Sequence, residues 1–351
     1  MRAVQIIQLG EPLQAREVPL PEPGAGEVRV KIAAAGICHS DAHYRAGTAS
    51  VAHRPITPGH EISGSVDALG AGVTNLAVGQ RVALHYLLTC GQCEYCRRGQ
   101  EQFCTATRML GKHVDGGYAE YVVAPARNAI PVPDGVSAAA AAIMMCSCST
   151  AFDALRKART AAGDRVAVFG AGGLGLAAVQ LARLCGASEV FAVDINPSKL
   201  AAAARYGAHP IDPAQGTPEA QIRAATHGHG VDVALEFAGL PVTQQQALAA
   251  LAVWGRLALA GISGAPFMVD SFATVINREA EIIGVSDHTR DELVTLMAFA
   301  QRGQLDLDGV IADQLPLDAD AINRRLDALG SFRGHTRSVI TPQVLHAQPP
   351  D

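Results

Sequence analysis

Aromatic residues and charges are scarce in this sequence. Aromatic side chains make up 5% of the 351 residues, with a single tryptophan, and charged side chains make up 17%. The formal net charge is −5 and no block of like charge occurs, which argues against a nucleic-acid partner and a basic membrane-binding surface. No hydrophobic run approaches a membrane span, and the N-terminus lacks the apolar core and cleavage site of a signal peptide. These absences predict a cytoplasmic, globular protein that acts on a small molecule.

The sequence has enough apolar residues for more than one core. Hydrophobic residues account for 49% of the 351 residues, a length that corresponds to about two domains. Residues 1–147 contain short apolar runs between proline and glycine turns, which predicts a β-rich, partly barrel-like domain completed by residues 288–351. Strands alternate with helices over residues 148–287, which predicts a doubly wound parallel sheet. We expect a polar, disordered tail over residues 346–351.

A glycine-rich turn lies between two short apolar runs near the middle of the chain. It reads Gly170-x-Gly172-x-x-Gly175 and is followed by helix-forming residues. In a strand, turn and helix unit the first glycine makes the turn, the second lets the backbone approach a pyrophosphate, and the third lets the helix pack on the strand. Glycine-rich turns also serve as plain connectors, so the motif alone is weak. The flanking strands and the helix favour dinucleotide binding.

An acidic residue ends the second of these apolar runs. Asp194 follows Gly175 by nineteen residues, near the spacing at which an acid accepts hydrogen bonds from an adenosine ribose diol. Its charge would repel a 2′-phosphate, and no arginine follows it where such a phosphate would need a partner. The sequence therefore predicts NAD as the cofactor in preference to NADP.

Four of the eight cysteines lie close together, in a segment that we call the cysteine lobe. Its pattern is Cys90-x2-Cys93-x2-Cys96-x7-Cys104. In a reducing compartment such clustering indicates metal binding, and four thiolates suit a closed, tetrahedral, structural zinc site. An iron–sulfur cluster is the main alternative, but the fourth cysteine of that ferredoxin pattern follows after three residues and precedes proline. Here the gap is seven residues and Thr105 follows, which favours zinc.

Further thiol, imidazole and carboxylate groups occur in two short motifs of the first domain. The motifs are Cys38-His39-Ser40-Asp41 and Gly59-His60-Glu61. Neither is specific, since a buried cysteine is commonly just a small apolar residue. Together with Cys146 they offer two thiolates and one imidazole, a set that leaves a fourth zinc position open. An open zinc site beside a nicotinamide indicates Lewis-acid activation of an alcohol or carbonyl oxygen.

The order and spacing of these motifs resemble those of the zinc-containing alcohol dehydrogenases of the medium-chain dehydrogenase/reductase superfamily. The resemblance runs over residues 1 to about 342 and rests on GICHSD, GHE, the cysteine lobe, CSCST and GAGGLG. It implies an α/β chain with a GroES-like catalytic domain and a Rossmann domain that binds NAD. It also implies reversible oxidation of a primary or secondary alcohol, two zinc ions per chain, and a homo-oligomer, a tetramer in preference to a dimer.

The resemblance implies roles for the second set of donors. It makes Cys38, His60 and Cys146 the ligands of a catalytic zinc ion, with Glu61 as an outer or exchangeable ligand. Asp41 is expected to bond the other nitrogen of His60 and so to fix the orientation of that ligand.

Two further residues are expected to move the proton of the alcohol. The resemblance implies that Ser40 takes this proton and passes it through the nicotinamide ribose to His43, the exit base. An exposed loop histidine is the alternative for His43.

Chemistry alone leaves Cys146 and Cys148 tied as the second thiolate ligand of the catalytic zinc ion. The resemblance selects Cys146 and makes Cys148 a small packing residue.

The resemblance also implies a set of cofactor and substrate contacts. These are His39 and Arg337 near the pyrophosphate, the turn residues Gly170, Gly172, Gly173 and Gly175, Leu174 and Thr150 at the nicotinamide, Asp194 and Lys199 at the adenosine ribose, and Tyr86 and Ile262 in the alcohol pocket. For Arg337 the alternative is a solvated surface charge, and for Tyr86 an ordinary core aromatic. His113 lies on a glycine-rich loop whose reach the sequence does not decide.

Three other functions stay open at this point. A polyol dehydrogenase is disfavoured because Cys146 stands where those enzymes often use a carboxylate. A zinc-free quinone or enone reductase on the same fold is disfavoured by the intact set of zinc ligands. A non-catalytic zinc- and nucleotide-binding protein is disfavoured by the presence of Ser40, Asp41, His43 and Asp194.

Overall fold

The chain forms two compact units in the computed structural model, which describes residues 1–330 and 336–342. One unit comprises Met1–Cys146 together with Thr289–Asp351, and the other comprises Ser147–His288. The tail at residues 346–351, for which disorder is predicted, lies outside the described residues. The chain thus leaves the first unit once and later returns to it.

The described residues contain strands and helices as follows. The strands are β1 (Arg2–Gln5), β2 (Gln14–Glu17), β3 (Glu27–Ile37), β4 (Glu61–Leu69), β5 (Arg81–Leu84), β6 (Leu87–Leu88), β7 (Arg108–Met109), β8 (Tyr121–Pro125), β9 (Ala129–Pro131), β10 (Arg165–Phe169), β11 (Glu189–Val193), β12 (His209–Ile211), β13 (Val231–Glu236), β14 (Leu251–Leu259), β15 (Glu281–Gly284), β16 (Ile311–Leu315) and β17 (Arg337–Ile340). The α-helices are α1 (His39–Ala46), α2 (Glu94–Arg97), α3 (Ala138–Ile143), α4 (Ser149–Lys157), α5 (Gly173–Leu184), α6 (Pro197–Arg205), α7 (Pro218–Ala225), α8 (Pro241–Ala250), α9 (Arg290–Gln301) and α10 (Ala319–Gly330).

The first unit is organised around a seven-stranded sheet. Its order is β16-β17-β3-β4-β5-β9, with β8 also paired to β3. Neighbouring strands are antiparallel except for β16 and β17. The apolar residues Val28, Val30 and Ile32 of β3 are fully buried, whereas the residues between them are more exposed, because successive side chains of a strand point to opposite faces. The predicted β-rich domain is confirmed.

The register of this sheet brings the two short motifs together. Gly36 of β3 pairs with Glu61 of β4. Cys38, just past the end of β3, therefore lies near His60, which directly precedes β4. Strand β17 pairs antiparallel with the same end of β3, and its first residue is Arg337. One end of the central strand thus gathers residues from three distant parts of the chain.

Helix α1 begins directly after the first of these motif residues. Cys38 is its N-cap residue, and the Asp41 carboxylate accepts a hydrogen bond from the Cys38 backbone N–H at 3.0 Å, as in a capping box. The helix ends at Gly47, whose φ of 76° favours glycine. The same short helix carries Ser40 and His43, so the helix start fixes their positions relative to Cys38.

The second unit contains a six-stranded parallel sheet. Its order is β12-β11-β10-β13-β14-β15, and each neighbouring pair is parallel. The strand order reverses between β10 and β13, and open α/β sheets bind ligands at the carboxyl ends of their strands at such a point. The apolar runs Val166–Phe169 and Val190–Val193 are buried in β10 and β11. The predicted doubly wound α/β fold is confirmed.

One helical stretch corrects the expectation about membrane spans. Residues Ala138–Lys157 form a stretch of 20 residues that is long and apolar enough to cross a membrane by length and composition, so the expectation that no run approaches this length is wrong. However, 83% of the most apolar 18 consecutive residues of this stretch are buried within the protein. The core helix of a soluble protein passes the same test, so the stretch is weak evidence for a membrane span. It contains a π-helical turn at Met144–Cys148.

We expect Gly175→Ala to destabilise the second unit more than Gly172→Ala. A Cβ on Gly175 would lie 2.0 Å from the carbonyl oxygen of Gly170, whereas a Cβ on Gly172 would meet no atom within 4 Å. Overpacking of this kind lowers the free energy of unfolding by about 3 kcal/mol, and alanine at the N-cap position of Gly172 costs about 1 kcal/mol or less. Urea denaturation followed by circular dichroism measures both changes, and equal losses would contradict the expectation.

Candidate functional site

Four potential metal ligands meet at the end of β3. One donor atom each from Cys38, His60, Glu61 and Cys146 lies within 4.8 Å of the other three. The first three residues are buried, and Cys146, in the π-helical turn, is partly exposed. The structure thus brings together four residues expected around the catalytic zinc ion. Cys148 is fully buried and does not belong to this group.

The surroundings of these donors favour a thiolate at Cys38 and a positive charge at His60. A hydrogen bond from Cys146 lowers the pKa of the Cys38 thiol well below its usual range. His60 also lowers this pKa, whereas burial raises it. Burial lowers the pKa of His60, but Asp41 and Cys38 outweigh it and raise that pKa to about 10. A cation at this place is therefore stabilised by its neighbours.

The Asp41 carboxylate lies beside the Nδ1 atom of His60. Its Oδ1 atom is 3.4 Å from His60 Nδ1 and accepts a hydrogen bond from the Gly59 backbone N–H at 3.3 Å. Its Oδ2 atom accepts hydrogen bonds from the Cys38 backbone N–H at 3.0 Å and from the Tyr118 hydroxyl at 2.9 Å. Sequence reasoning missed Tyr118, since a tyrosine after two glycines carries no signal of this role.

Arg337 forms a buried ion pair with Glu61. The guanidinium Nη2 atom donates a hydrogen bond to Glu61 Oε2, and only 6% of Arg337 is exposed. A Cβ on Gly36 would lie 1.9 Å from Glu61 Oε2, so a glycine is needed here to give the pair room. The alternative that Arg337 is a solvated surface charge is wrong. Its expected contact with a pyrophosphate stays a prediction.

Helix α1 places the expected proton-transfer residues near the thiolate. The hydroxyl oxygen of Ser40 is 3.8 Å from the Cys38 sulfur. The imidazole of His43 stacks on that of His39 with ring centroids 4.9 Å apart, and its Nδ1 atom is 3.0 Å from the Thr48 hydroxyl. Both Ser40 and His43 are partly exposed.

The residues expected to line an alcohol pocket differ in exposure. Tyr86 is buried, and its ring meets His60 edge to face with centroids 5.0 Å apart. Ile262, which belongs to the second unit, has 77% of its surface exposed. His113 is partly buried on the loop that follows β7, and burial, with Lys112, lowers its pKa. In the first unit, therefore, Tyr86 contacts the donor group directly.

The cysteine lobe gathers its four sulfurs as expected. The sulfurs of Cys90, Cys93, Cys96 and Cys104 lie within 4.8 Å of one another. The Cys104 sulfur accepts a hydrogen bond from the Cys90 backbone N–H at 3.3 Å. Backbone N–H groups of Gln92 and Cys93 lower the pKa of the Cys90 thiol, which favours a thiolate. In the described part of the chain, the lobe and the group at β3 are the two clusters suited to a metal ion.

The glycine turn of the second unit has the geometry of a phosphate-binding turn. Gly170 has a φ of 95°, and Gly172 precedes helix α5 with open space around its missing Cβ. Gly173 and Leu174 form the first turn of α5, where backbone N–H groups are available to an anion. Gly175 lies so close to Gly170 that a larger residue would not fit. The turn at Gly170 and the close packing at Gly175 agree with the expected geometry, whereas the approach of a pyrophosphate to Gly172 stays a prediction.

The acid after β11 is tied to this turn. Asp194 accepts hydrogen bonds from the Ala171 and Asn196 backbone N–H groups, both at 2.8 Å. Lys199 follows in α6, and Thr150 lies in α4; both are partly exposed. Sequence reasoning assigned Asp194 a contact with ribose but missed its hydrogen bond to the glycine turn. The donor is a backbone N–H group, which residue type does not reveal.

Two family models match the chain. A model described as the alcohol dehydrogenase GroES-like domain matches residues 24–134, and one described as zinc-binding dehydrogenase matches residues 173–302. The first match includes the cysteine lobe and three of the four donors at β3, and the second begins within the glycine turn, at Gly173. The first match lies within the first unit, and the second covers most of the second unit and extends to residue 302 of the first.

Relatives and solved structures extend the likeness over nearly the whole chain. An NAD-dependent alcohol dehydrogenase of Sulfurisphaera tokodaii is 32% identical over 97% of this chain and 100% of its own length. An alcohol dehydrogenase of Geobacillus stearothermophilus is 36% identical over 87% of this chain and 90% of its own. The crystal structure of the alcohol dehydrogenase from Aeropyrum pernix superposes with a TM-score of 0.89 at 32% identity, over 97% of this chain and 100% of that chain. The chain therefore belongs to the zinc-containing alcohol dehydrogenases of the medium-chain dehydrogenase/reductase superfamily.

Proposed function

We propose that this protein is an NAD-dependent alcohol dehydrogenase that oxidises a primary or secondary alcohol reversibly to an aldehyde or ketone. The observation that carries the proposal is the cluster of Cys38, His60 and Cys146 donor atoms, with the Ser40 hydroxyl 3.8 Å from the Cys38 sulfur. Such a donor set, in a chain that also has a dinucleotide-type glycine turn, suits hydride transfer between an alcohol and a nicotinamide.

Cys38, His60 and Cys146 are the proposed ligands of the catalytic zinc ion. Their donor atoms lie within 4.8 Å of one another, as ligands of one small cation must. Two sulfurs so close together are stable as thiolates only where positive charge compensates them. When bound, zinc supplies Lewis-acid polarisation of an alcohol or carbonyl oxygen. Three protein ligands leave the fourth position of a tetrahedral site open.

Glu61 is proposed as an outer or exchangeable ligand. The buried Arg337 guanidinium balances its charge through the Oε2 atom. Its other carboxylate oxygen, Oε1, is buried and has no hydrogen-bond partner among the described residues. A buried carboxylate oxygen without a donor is costly, which supports a cation as its partner.

Ser40 and His43 are proposed to move the proton of the alcohol. The Ser40 hydroxyl lies beside the Cys38 sulfur and can accept a proton only as it gives up its own. His43, three residues later on the same helix, is partly exposed and can exchange protons with solvent. Asp41 takes no part in this transfer and is proposed to orient His60.

The second unit is proposed to bind NAD. The space around Gly172 and the N-terminus of α5, which includes Gly173 and Leu174, suit a pyrophosphate. The further proposed contacts are Gly170, Gly175 and Thr150, Asp194 and Lys199 at the adenosine ribose, and His39 and Arg337 from the first unit. We also propose Tyr86 and Ile262 as substrate-pocket residues.

The cysteine lobe is proposed to hold a second, structural zinc ion. Four thiolates fill a tetrahedral zinc site and leave no position for substrate, so this ion would contribute to stability and not to chemistry. With the ion at β3, the chain would bind two zinc ions.

We propose that the protein is cytoplasmic and forms a homo-oligomer, a tetramer in preference to a dimer. None of the eight cysteines forms a disulfide, which suits a reducing compartment. Large apolar side chains are exposed in the second unit, including Trp254 in β14 at 70% and Met268 at 82%. Exposed apolar side chains that lie together are typical of surfaces that another chain covers.

We expect NADH absorbance at 340 nm to rise when the pure protein is mixed with NAD and a suitable alcohol. A panel of short, long, branched and aromatic alcohols covers the classes that the proposal allows, because the sequence does not define the pocket. The reverse reaction with the matching aldehyde or ketone should consume NADH. Silence across the panel in both directions, in protein shown to contain zinc, would favour a non-catalytic binding protein.

We expect Cys146→Ala to reduce the zinc content from about two ions per chain to about one and to abolish turnover, because a ligand is lost. Cys148→Ala is the matched control, since that thiol lies two residues away and outside the donor group. It should keep both zinc ions and change the rate only modestly. Metal analysis of both variants by mass spectrometry tests the assignment, and the opposite pattern would refute it.

We expect NAD to be strongly preferred over NADP, because the Asp194 carboxylate repels a 2′-phosphate and occupies its space. Asp194→Gly combined with Ile195→Arg should reduce the preference by at least about tenfold, since the exchange removes the repulsion and adds a cation. The ratio of kcat/KM values for the two cofactors measures it. Equal kcat/KM values in the unmodified protein would overturn the assignment.

A further inference from the structure

Cys38, His60, Glu61 and Cys146 form the metal-ligand group. Tyr118, from a separate part of the chain, contacts this group through Asp41. Its side chain is fully buried, and its hydroxyl donates a hydrogen bond to Asp41 Oδ2 at 2.9 Å. The same carboxylate accepts the backbone N–H groups of Cys38 and Gly59, and its Oδ1 atom lies 3.4 Å from His60 Nδ1. Asp41 is thus connected to two of the three segments that carry the proposed zinc ligands, and the Tyr118 hydroxyl donates a hydrogen bond to it.

The position of the hydroxyl is fixed by the backbone around it. The Tyr118 N–H donates to the Pro58 carbonyl at 3.0 Å, and the Tyr118 carbonyl accepts from the Val4 N–H at 2.8 Å. The ring lies against Gly59, where an added Cβ would be 2.4 Å from ring atom Cδ1. Because the backbone of Tyr118 is bonded through both its N–H and its carbonyl, and the buried ring lies against Gly59, the hydroxyl has little freedom to leave Asp41.

We propose that Tyr118 is a positioning residue for the catalytic zinc ion, whose hydroxyl holds Asp41 and, through it, orients the ligand His60. The proposal rests on the zinc-ligand set of the proposed function. Outer partners of a ligating histidine fix the orientation of its ring, and their loss typically costs about 10–100-fold in metal affinity or activity. Tyr118 acts one hydrogen bond further out, so we place its effect at the lower end of that range.

The alternative is that Tyr118 only fills space in the core. Tyr118→Phe separates the two, because phenylalanine keeps the ring against Gly59 and removes only the donor to Asp41. Tyr121→Phe is a matched control: the same atom is removed three residues later, where the ring packs beside Arg29.

The experiment follows zinc release from the folded holoenzyme into a chromogenic chelator. Wild type, Tyr118→Phe and Tyr121→Phe are compared, and Cys146→Ala, expected to retain only the lobe zinc, identifies the release phase of that ion. We expect the catalytic zinc to leave about tenfold faster from Tyr118→Phe, with the lobe zinc and Tyr121→Phe unchanged. In steady-state assays kcat should fall while the KM for NAD stays constant.

Three results would overturn the proposal: unchanged release from Tyr118→Phe, equal acceleration of both zinc ions, or failure of Tyr118→Phe to fold, which would assign the hydroxyl to folding. Failure of the proposed function gives a different result. In that case wild type and Cys146→Ala would hold the same number of zinc ions, whatever the behaviour of Tyr118→Phe.

Discussion

The pairing of β3 with β4 is the constraint on which the metal-ligand group depends. Gly36 faces Glu61 in this pairing, and Cys38 and His60 extend from the paired ends. Since the side-chain period of a strand is two, a slip of one residue would turn Glu61 to the other face and separate the donors. The buried apolar residues of β3 prevent such a slip, so the core that stabilises the sheet also aligns the site.

Charge balance is the second condition for the site. Two thiols and the Glu61 carboxylate meet in buried surroundings, where unpaired charge is costly. Arg337 offsets the charge of Glu61, and the His60 imidazole lies against Asp41. With both thiols as thiolates, the acidic groups Cys38, Cys146, Glu61 and Asp41 outnumber the basic groups Arg337 and His60. A divalent cation fits that excess of negative charge, which is why the donor set is more informative than any single residue.

The sequence predicts those features whose residues are near one another in the chain. The cysteine lobe spans fifteen residues and the glycine turn spans six, and each has a chemistry that few other patterns share. It does not predict contacts that the topology alone creates. Tyr118 lies 77 positions from Asp41, and Arg337 lies 276 positions from Glu61. A buried tyrosine is typical of any core and an arginine of any surface, so residue type gives no hint of either pairing.

The cofactor preference proposed for Asp194 is linked to the local structure of the second unit. Its carboxylate would discriminate against a 2′-phosphate, but it also accepts the Ala171 N–H inside the glycine turn. Removing that carboxylate leaves this N–H, at the carboxyl end of β10, without its acceptor, which costs about 1–3 kcal/mol where water cannot replace it. A variant that accepts NADP because it lacks this carboxylate is therefore also expected to have a less firmly held glycine turn. On the proposed assignment, we expect removal of this carboxylate to relax the cofactor preference only together with weaker pyrophosphate binding, unless a new acceptor for Ala171 is supplied.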